Sequence, residues 1–127
     1  MKVFVISLKS SIERRNYTSQ VLDRQSITFE FFDAEDINRD SEHFIFKLYN
    51  EKKSKRFKGY ALTKPELGCF ASHISLWRKC IDLNENILIM EDNFELSGNL
   101  KHQIANINQL TSDYGLVKIG NSIKEIM

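Results

Sequence analysis

The amino-acid sequence predicts an α/β protein in which a mostly parallel sheet is flanked by helices. Two short apolar runs, residues 3–8 and 87–90, are typical of strands that are buried on both faces of such a sheet. Helix signals alternate with these strand signals along the chain, and this alternation favours a doubly wound arrangement. The 127 residues, 42% of them hydrophobic, are enough for one domain with one core.

A predicted helix follows the first strand. Residues 10–13 have the sequence Ser-Ser-Ile-Glu, a capping-box pattern that opens a helix expected to run to about Arg24. Hydrophobic residues then alternate over residues 27–32 and predict a second strand that ends at Asp33. The chain therefore begins with a β-α-β unit.

The middle of the chain is basic. Residues 41–49 predict a short helix, and residues 52–58, which contain five lysine or arginine side chains, predict a loop that ends at Gly59. Aromatic residues bracket this stretch, so an RNA-binding or anionic-membrane patch and an ordinary solvated loop both remain open. The whole chain has 18 basic and 17 acidic side chains, and this balance gives no reason to expect a nucleic-acid partner.

The strongest helix signal begins at Thr63. Thr63 and Glu66 have the spacing of a capping box, and Pro65 is tolerated in the first turn because amides there have no helical partner. An apolar stripe at helical spacing is predicted to be the buried face. Its members are Leu67, Phe70, Ile74, Trp77 and Ile81.

Three polar residues end the strand at 87–90. Glu91, Asp92 and Asn93 follow it directly, and ligands of open α/β sheets lie beyond the carboxyl ends of the strands. Side chains two apart in an extended segment point the same way, so Glu91 and Asn93 are expected to face one side and Asp92 the other. The alternative is that the three residues only cap or solvate a strand end. A helix over residues 98–110 and a last strand over 114–119 complete the prediction.

Four segments of the chain resemble glycosyltransferase family 25, which includes lipooligosaccharide galactosyltransferases of Gram-negative bacteria and collagen galactosyltransferases. They are residues 3–10 with Glu13, Arg14 and Arg15; residues 62–73, Leu-Thr-Lys-Pro-Glu-Leu-Gly-Cys-Phe-Ala-Ser-His; residues 87–93, Ile-Leu-Ile-Met-Glu-Asp-Asn; and residues 113–120. Members are usually about twice this long. The resemblance therefore implies that residues 1–127 are the amino-terminal, donor-nucleotide-binding half of a truncated GT-A (Rossmann-like) fold.

The resemblance also implies a function for the acidic strand end. In GT-A enzymes the last carboxylate of a Glu-Asp-Asp motif holds the divalent cation on the diphosphate of a UDP-sugar, and the middle one holds the ribose. Asp92 is then the ribose residue, and Asp92 with Asn93 forms the site for Mn²⁺ or Mg²⁺. Because Asn93 brings no negative charge, this cation is expected to bind weakly. Ser7 and Leu8 would contact the nucleoside base with their backbone, and Glu91 belongs to the same nucleotide-sugar site.

Two arginines lie where a nucleotide would bind. Arg14 and Arg15 belong to the first turn of the first predicted helix, near the end of the first strand. The planar guanidinium donates two parallel hydrogen bonds to a diphosphate, and a helix amino terminus adds a favourable partial charge. The alternative is a pair of solvated arginines, one of which pairs with Glu13 or Asp33.

The long helix carries the remaining candidates. The resemblance places a serine-histidine pair at Ser72 and His73 beneath the active site, whereas a single histidine in an apolar helix is otherwise a core residue. His43 and His102 have no second ligand at metal-like spacing, so zinc is not expected. Cys69 and Cys80 lie eleven residues apart on one helix, too far apart for a disulfide, and are expected to be buried thiols.

The resemblance implies a hexosyltransferase that transfers galactose or a similar sugar from a UDP-sugar to a lipid-linked glycan of lipooligosaccharide. No catalytic base can be chosen. No segment approaches the ~20 apolar residues of a membrane span, so a cytoplasmic protein is expected, with peripheral contact at the inner face of the inner membrane. Exposed apolar surface on a half domain predicts a homodimer. The alternatives are a nucleotide-binding module without catalysis and a basic RNA- or membrane-associated α/β protein.

Overall fold

A computed structural model describes residues 1–38 and 40–120 of the chain. Its sheet has three parallel strands in the order β2-β1-β3. These strands are β1 (Lys2–Ser7), β2 (Glu30–Asp33) and β3 (Ile87–Glu91). The predicted α/β class with a parallel sheet and flanking helices is confirmed.

Five helices are present in the described residues. They are α1 (Ile12–Arg24), α2 (Ile45–Leu48), α3 (Glu51–Lys58), α4 (Lys64–Leu83) and α5 (Leu100–Tyr114). The capping box that starts α4 is confirmed: the Thr63 hydroxyl accepts from the Glu66 amide, and the Glu66 carboxylate accepts from the Thr63 amide. The capping box therefore fixes the residue at which α4 begins.

The two faces of β1 pack against different helices. Val3 and Val5 point to one side and pack with Leu22 of α1. Phe4 and Ile6 point to the other side and pack with Leu76 of α4. Because side chains alternate along a strand, one apolar run supplies both cores, and this explains why residues 3–7 are all buried.

The central strand is also the topological switch point of the sheet. The chain leaves β1 through α1 to reach β2 on one side, and later returns to place β3 on the other side. In open parallel sheets a crevice for ligands forms outside the carboxyl ends of the strands at this point. The residues that follow β1 and β3 therefore border the expected crevice.

The predicted buried stripe of α4 is correct only in part: Leu67 is buried and Ile74 packs against the core, but the other three members are exposed. Phe70, Trp77 and Ile81 are exposed, and Ile81 retains 76% of its accessible surface. The buried residues of α4 are Leu67, Gly68, Ala71, Ser72 and Leu76. Small residues face inward because the backbone after β2 lies directly against the helix: a Cβ added at Gly68 would lie 2.9 Å from the Glu35 carbonyl oxygen.

The basic segment is a helix and not the predicted loop. The Asn50 side chain accepts from the Lys53 amide at the start of α3, and Gly59 ends the helix with φ of 85°. Glu51 and Lys55 form a salt bridge of 3.0 Å one turn apart. Its start and stop signals lie within ten residues, and they decide the conformation in spite of the crowded positive charge.

The other boundaries also differ from the prediction. Ser11 is the N-cap of α1 but makes no side-chain capping bond, so the capping box predicted at residues 10–13 is absent. Only the last residues of the predicted second strand pair with β1, and α2 forms only part of the short helix predicted at 41–49.

The predicted last strand at 114–119 is wrong. Helix α5 continues to Tyr114, where the Gly115 amide donates to the Thr111 carbonyl at 2.7 Å. Residues 116–120 form no strand. An apolar run adopts β structure only where a neighbouring strand accepts its hydrogen bonds, and no strand of the described sheet is paired with this run.

Candidate functional site

The parallel register brings charged side chains together at one edge of the sheet. Ser7 at the end of β1 is aligned with Asp33 at the end of β2, and Ile6 is aligned with Glu91 at the end of β3. The Asp92 amide donates to the Ile6 carbonyl at 3.1 Å and keeps the chain beside β1 for one more residue. Two acidic strand ends therefore flank Ser7.

Three of the predicted nucleotide-sugar residues form one connected group, which we call the donor-facing group: Ser7, Arg14 and Asp92. The Ser7 hydroxyl donates to Asp92 Oδ2 at 2.7 Å, and Arg14 Nη1 lies 3.4 Å from Asp92 Oδ1. The Asp92 side chain is only 11% exposed, whereas that of Arg14 is 64% exposed. The carboxylate is thus fixed, whereas most of the Arg14 side chain is exposed to solvent.

The Arg15 side chain contacts neighbouring protein groups and is largely shielded from solvent. Its Nη2 donates to Asp33 Oδ1 at 2.6 Å and to the Ser7 carbonyl at 3.0 Å, and its guanidinium lies over the Phe31 ring at 4.7 Å. The hydrogen bond from Arg15 holds the pKa of Asp33 below its usual value. Of the pairings considered for the arginines, the one between Arg15 and Asp33 is present, and it links β1, β2 and α1.

The other residues of the predicted site lie at the same edge. Leu8 follows β1, and its side chain is exposed, while its carbonyl accepts from the Ser11 amide at 3.0 Å. Asn93 is exposed in the turn after β3. For a hard cation the site offers one carboxylate, Asp92, which is already bound to Ser7 and Arg14, and one amide. Mn²⁺ and Mg²⁺ prefer several oxygen ligands, so these residues fit such an ion poorly.

The neighbouring carboxylate, Glu91, points to the other side. We call its group the helix-facing group: Cys69, His73 and Glu91. His73 Nε2 lies 3.1 Å from Glu91 Oε1, and the Cys69 thiol donates to the same oxygen at 3.3 Å. The hydrogen bond with His73 lowers the pKa of Glu91. Burial and the nearby carboxylate raise the pKa of Cys69 to about 11. The opposite orientation of Glu91 and Asp92 follows the predicted alternation.

Ser72 and His73 have separate surroundings, although they are adjacent. The Ser72 hydroxyl donates to the Gly68 carbonyl and accepts from the Glu35 amide, both at 2.9 Å. Ser72 is fully buried there, and it joins α4 to the segment after β2. Of these two residues, only His73 contacts the end of β3.

Sequence reasoning missed a polar network around Glu35. His43 Nε2 lies 3.1 Å from one Glu35 carboxylate oxygen, and the Ser75 hydroxyl donates to the other at 2.8 Å. Nothing in the local sequence identifies these partners, because they come from three separate segments. The grouping of Cys69 and His73 around Glu91 was also missed, although the spacing of four residues on one helix was available as a signal. Both cysteines are free, as expected, and both are half-buried.

An open parallel sheet with helices on both faces and charged residues at its switch point belongs to the class of doubly wound α/β domains. Residues 1–125 match the family described as glycosyltransferase family 25 (LPS biosynthesis protein). The chain belongs to this family, and the resemblance stated from its four segments is confirmed.

Individual relatives have related names. A putative glycosyltransferase of Haemophilus influenzae (strain ATCC 51907 / DSM 11121 / KW20 / Rd) is 32% identical over 120 residues, which are 91% of this chain and 40% of that protein. The lipooligosaccharide biosynthesis protein lic2B of Haemophilus influenzae is 37% identical over 101 residues, 76% of this chain and 35% of that protein. Human procollagen galactosyltransferase 2 is 28% identical over 137 residues, 98% of this chain and 21% of that protein.

The chain therefore spans two-fifths or less of the length of these three relatives. The matched region includes the donor-facing group and the helix-facing group, since both lie within residues 1–125. None of the described helices is long and apolar enough to cross a membrane.

Proposed function

We propose that this chain provides the donor-nucleotide-binding part of a glycosyltransferase. The enzyme would transfer galactose or a similar hexose from a UDP-sugar to a lipooligosaccharide acceptor. Family membership and the names of the bacterial relatives support the class of reaction. The single observation that supports a nucleotide site is the donor-facing group, in which Arg14 and Asp92 meet beside Ser7 at the switch point of the sheet.

Each member of this group has a distinct task in the proposal. Arg14 donates hydrogen bonds to the diphosphate, because its side chain is largely exposed beside a helix start. Asp92 accepts from the ribose hydroxyls, and Ser7 fixes the orientation of that carboxylate. The Ile12 amide already donates to the Ser10 carbonyl. The Ser11 side chain makes no capping bond, so it does not compete with an anion for the Glu13 and Arg14 amides of the first turn of α1.

The transfer itself requires charge stabilisation on the departing UDP. As the bond between the sugar and the diphosphate breaks, negative charge grows on the phosphate oxygens, and Arg14 is placed to offset it. The acceptor hydroxyl forms the new bond to the sugar and loses its proton to a base. We assign no catalytic base among the described residues. We propose that UDP binding depends little on Mn²⁺, because Asn93 adds no charge and Asp92 is already paired.

Calorimetric titration with UDP, UDP-galactose and UDP-glucose tests the proposal. The unmodified chain is expected to bind UDP, and Arg14→Gln is expected to weaken binding roughly tenfold, since a hydrogen bond to a charged group contributes about 1.5–3 kcal/mol. Arg24→Gln is the matched control, because Arg24 is exposed in the last turn of the same helix. Absence of both heat and thermal shift at millimolar UDP would contradict the sugar-nucleotide function.

Turnover separates catalysis from binding alone. A nucleotide-binding module binds UDP-galactose but neither transfers nor hydrolyses it, whereas the proposed enzyme releases UDP in the presence of a lipooligosaccharide acceptor. A basic RNA- or membrane-associated protein would bind neither UDP nor the UDP-sugar. These outcomes also identify the sugar, because UDP-galactose and UDP-glucose are compared at equal concentration.

We also propose that α3 makes peripheral contact with an anionic membrane, where a lipid-linked acceptor would lie. The helix carries five basic residues, and Phe57 at its end is 78% exposed. Positive charge beside an exposed aromatic ring suits the headgroup region of an anionic bilayer. Sedimentation with phosphatidylserine vesicles, compared with phosphatidylcholine vesicles, measures this contact.

Self-association is a further proposal about partners. Exposed apolar side chains occur along α4 and at and just after the end of α5, and apolar surface favours burial against another surface. They include Phe70, Trp77, Ile81, Tyr114 and Leu116. Sedimentation velocity at tens of micromolar is expected to give a homodimer, and a pure monomer would contradict it.

A further inference from the structure

The helix-facing group brings three different metal-ligand types into one place. Cys69 and His73 lie one turn apart on α4, and Glu91 approaches from the end of β3. One ligand atom from each residue, a sulfur, a ring nitrogen and a carboxylate oxygen, lies within 4.8 Å of the other two. Because two elements supply the ligands, their arrangement depends on the fold and not on local sequence alone.

The distances are close to those required by a tetrahedral ion. Zinc binds sulfur, nitrogen and oxygen at about 2.0–2.3 Å, so two ligands of a tetrahedral zinc ion lie roughly 3.3–3.6 Å apart. The observed separations from Glu91 Oε1 are 3.1 Å to His73 Nε2 and 3.3 Å to Cys69 Sγ. The third separation, between Cys69 Sγ and His73 Nε2, is no more than 4.8 Å. Side-chain movements of about 1 Å would therefore bring all three atoms to tetrahedral spacing.

The ligand types select the class of metal. Thiolate and imidazole favour zinc and other transition metals of similar softness, whereas Mg²⁺ and Mn²⁺ favour oxygen ligands. Three protein ligands leave one position for water, and the Glu91 side chain is 45% exposed, so solvent reaches the cluster. This cluster is separate from Asp92, whose carboxylate is bound by Ser7 and Arg14 on the other side of the strand end.

We propose that Cys69, His73 and Glu91 bind one transition-metal ion of the zinc class. The ion would join α4 to the end of β3, and so stabilise the strand end that also carries Asp92 on its opposite side. Binding converts the Cys69 thiol to a thiolate ligand and releases its proton to solvent. The proposal does not depend on sugar transfer, since it rests on these three side chains alone.

Cobalt is the direct spectroscopic probe. The full chain is stripped with a chelator and titrated with Co²⁺, followed by displacement with Zn²⁺. We expect one equivalent of Co²⁺ to produce a thiolate-to-cobalt charge-transfer absorption, which Zn²⁺ then removes. Cys69→Ser is expected to abolish this absorption. Cys80→Ser is the matched control, because Cys80 is the second half-buried cysteine of α4, and its thiol donates to the Glu85 carbonyl.

Glu91→Gln and His73→Gln test the other two ligands. Each is expected to weaken Zn²⁺ binding by roughly a hundredfold or more, at or above the upper end of the 10- to 100-fold range typical of losing an outer-shell partner. Circular dichroism establishes that each variant is folded. No thiolate absorption in the unmodified chain, or an equal absorption in folded Cys69→Ser, would overturn the proposal and leave only a hydrogen-bonded cluster. UDP titration in chelator is measured in parallel, so failure of metal binding is distinct from failure of nucleotide binding.

Discussion

The two sides of one strand end differ in chemistry although their central residues are neighbours in the chain. Asp92 faces α1 and is paired with an arginine and a serine hydroxyl. Glu91 faces α4 and meets a cysteine and a histidine. We therefore propose a nucleotide ligand for the donor-facing group and a transition-metal ion for the helix-facing group.

This difference arises because neighbouring side chains at a strand end point to opposite faces of the sheet. The chain stays beside β1 for one residue after Glu91, because the Asp92 amide donates to the Ile6 carbonyl. Adjacent carboxylates then reach opposite layers of the fold. An acidic motif at such a position need not act as one site, and each residue has to be tested against its own surroundings.

The sharpest test of the comparison exchanges each carboxylate for its amide. Asp92→Asn is expected to weaken UDP binding roughly tenfold to a hundredfold, since bonds to a charged group contribute about 1.5–3 kcal/mol. Glu91→Gln is expected to weaken UDP binding much less, because its partners lie on α4. Isothermal titration of both folded variants measures the two losses. Equal losses would mean that the strand end acts as one site.

The fold was predictable where the signals are local. The capping box at Thr63 was predicted correctly because its two partners lie three residues apart. The short strands were predicted from their apolar runs. The buried face of α4 was not predictable by hydrophobicity, because the large side chains Phe70 and Trp77 remain exposed while Gly68 and Ala71 permit close packing.

The stability of the packing between α4 and the segment after β2 is expected to depend on the small size of Gly68. A methyl group at position 68 would lie 2.9 Å from the Glu35 carbonyl oxygen, in backbone that has little room to move. Gly68→Ala normally favours a helix interior by about 1 kcal/mol, but overpacking costs about 1–3 kcal/mol. We therefore expect a net destabilisation of about 1 kcal/mol.

Urea unfolding of Gly68→Ala gives this free energy. Asp82→Ala is the control, because Asp82 is exposed on the same helix and its substitution is expected to change stability by no more than about 0.5 kcal/mol. Greater stability of Gly68→Ala would mean that the segment after β2 moves away from α4 without cost. UDP affinity is expected to be retained, because the donor-facing group lies on the other side of the strand end.

The site was predictable only in part. Ser7, Arg14 and Asp92 follow from strand ends and a helix start, since parallel strands place their carboxyl ends at one edge. Cys69 was not identified, because its partner Glu91 lies 22 residues away and belongs to another element. The two possibilities for Arg15 could not be separated until the register placed Asp33 beside Ser7.

A substitution that adds a negative charge at Asn93 is expected to have a smaller effect on UDP binding. Asn93→Asp adds a second carboxylate beside Asp92, and hard cations gain affinity mainly from ligand charge. Mn²⁺ is expected to strengthen UDP binding by the variant roughly tenfold, but to change binding by the unmodified chain little. The UDP dissociation constant is measured with Mn²⁺ and with EDTA in both proteins.

Asn99→Asp is the control for overall charge, because Asn99 caps α5 and aspartate caps a helix equally well. Strong Mn²⁺ dependence in the unmodified chain would show that Asn93 is no obstacle to the cation. No gain in Asn93→Asp would mean that this strand end holds no cation even with the added charge.

The smallest expected effect compares the two carboxylates that are paired with arginines. Asp33 is more exposed than Asp92, and the hydrogen bond from Arg15 lowers its pKa. A lowered pKa in the folded state stabilises the fold above the unfolded value, about 3.9, and this contribution is lost as the pH falls through the folded value. Carboxyl-carbon NMR titration is expected to show the Asp33 pKa rising in Arg15→Gln. Lys9→Gln is the control, because Lys9 has the weakest influence on Asp33, and a larger rise there would contradict the assignment to Arg15.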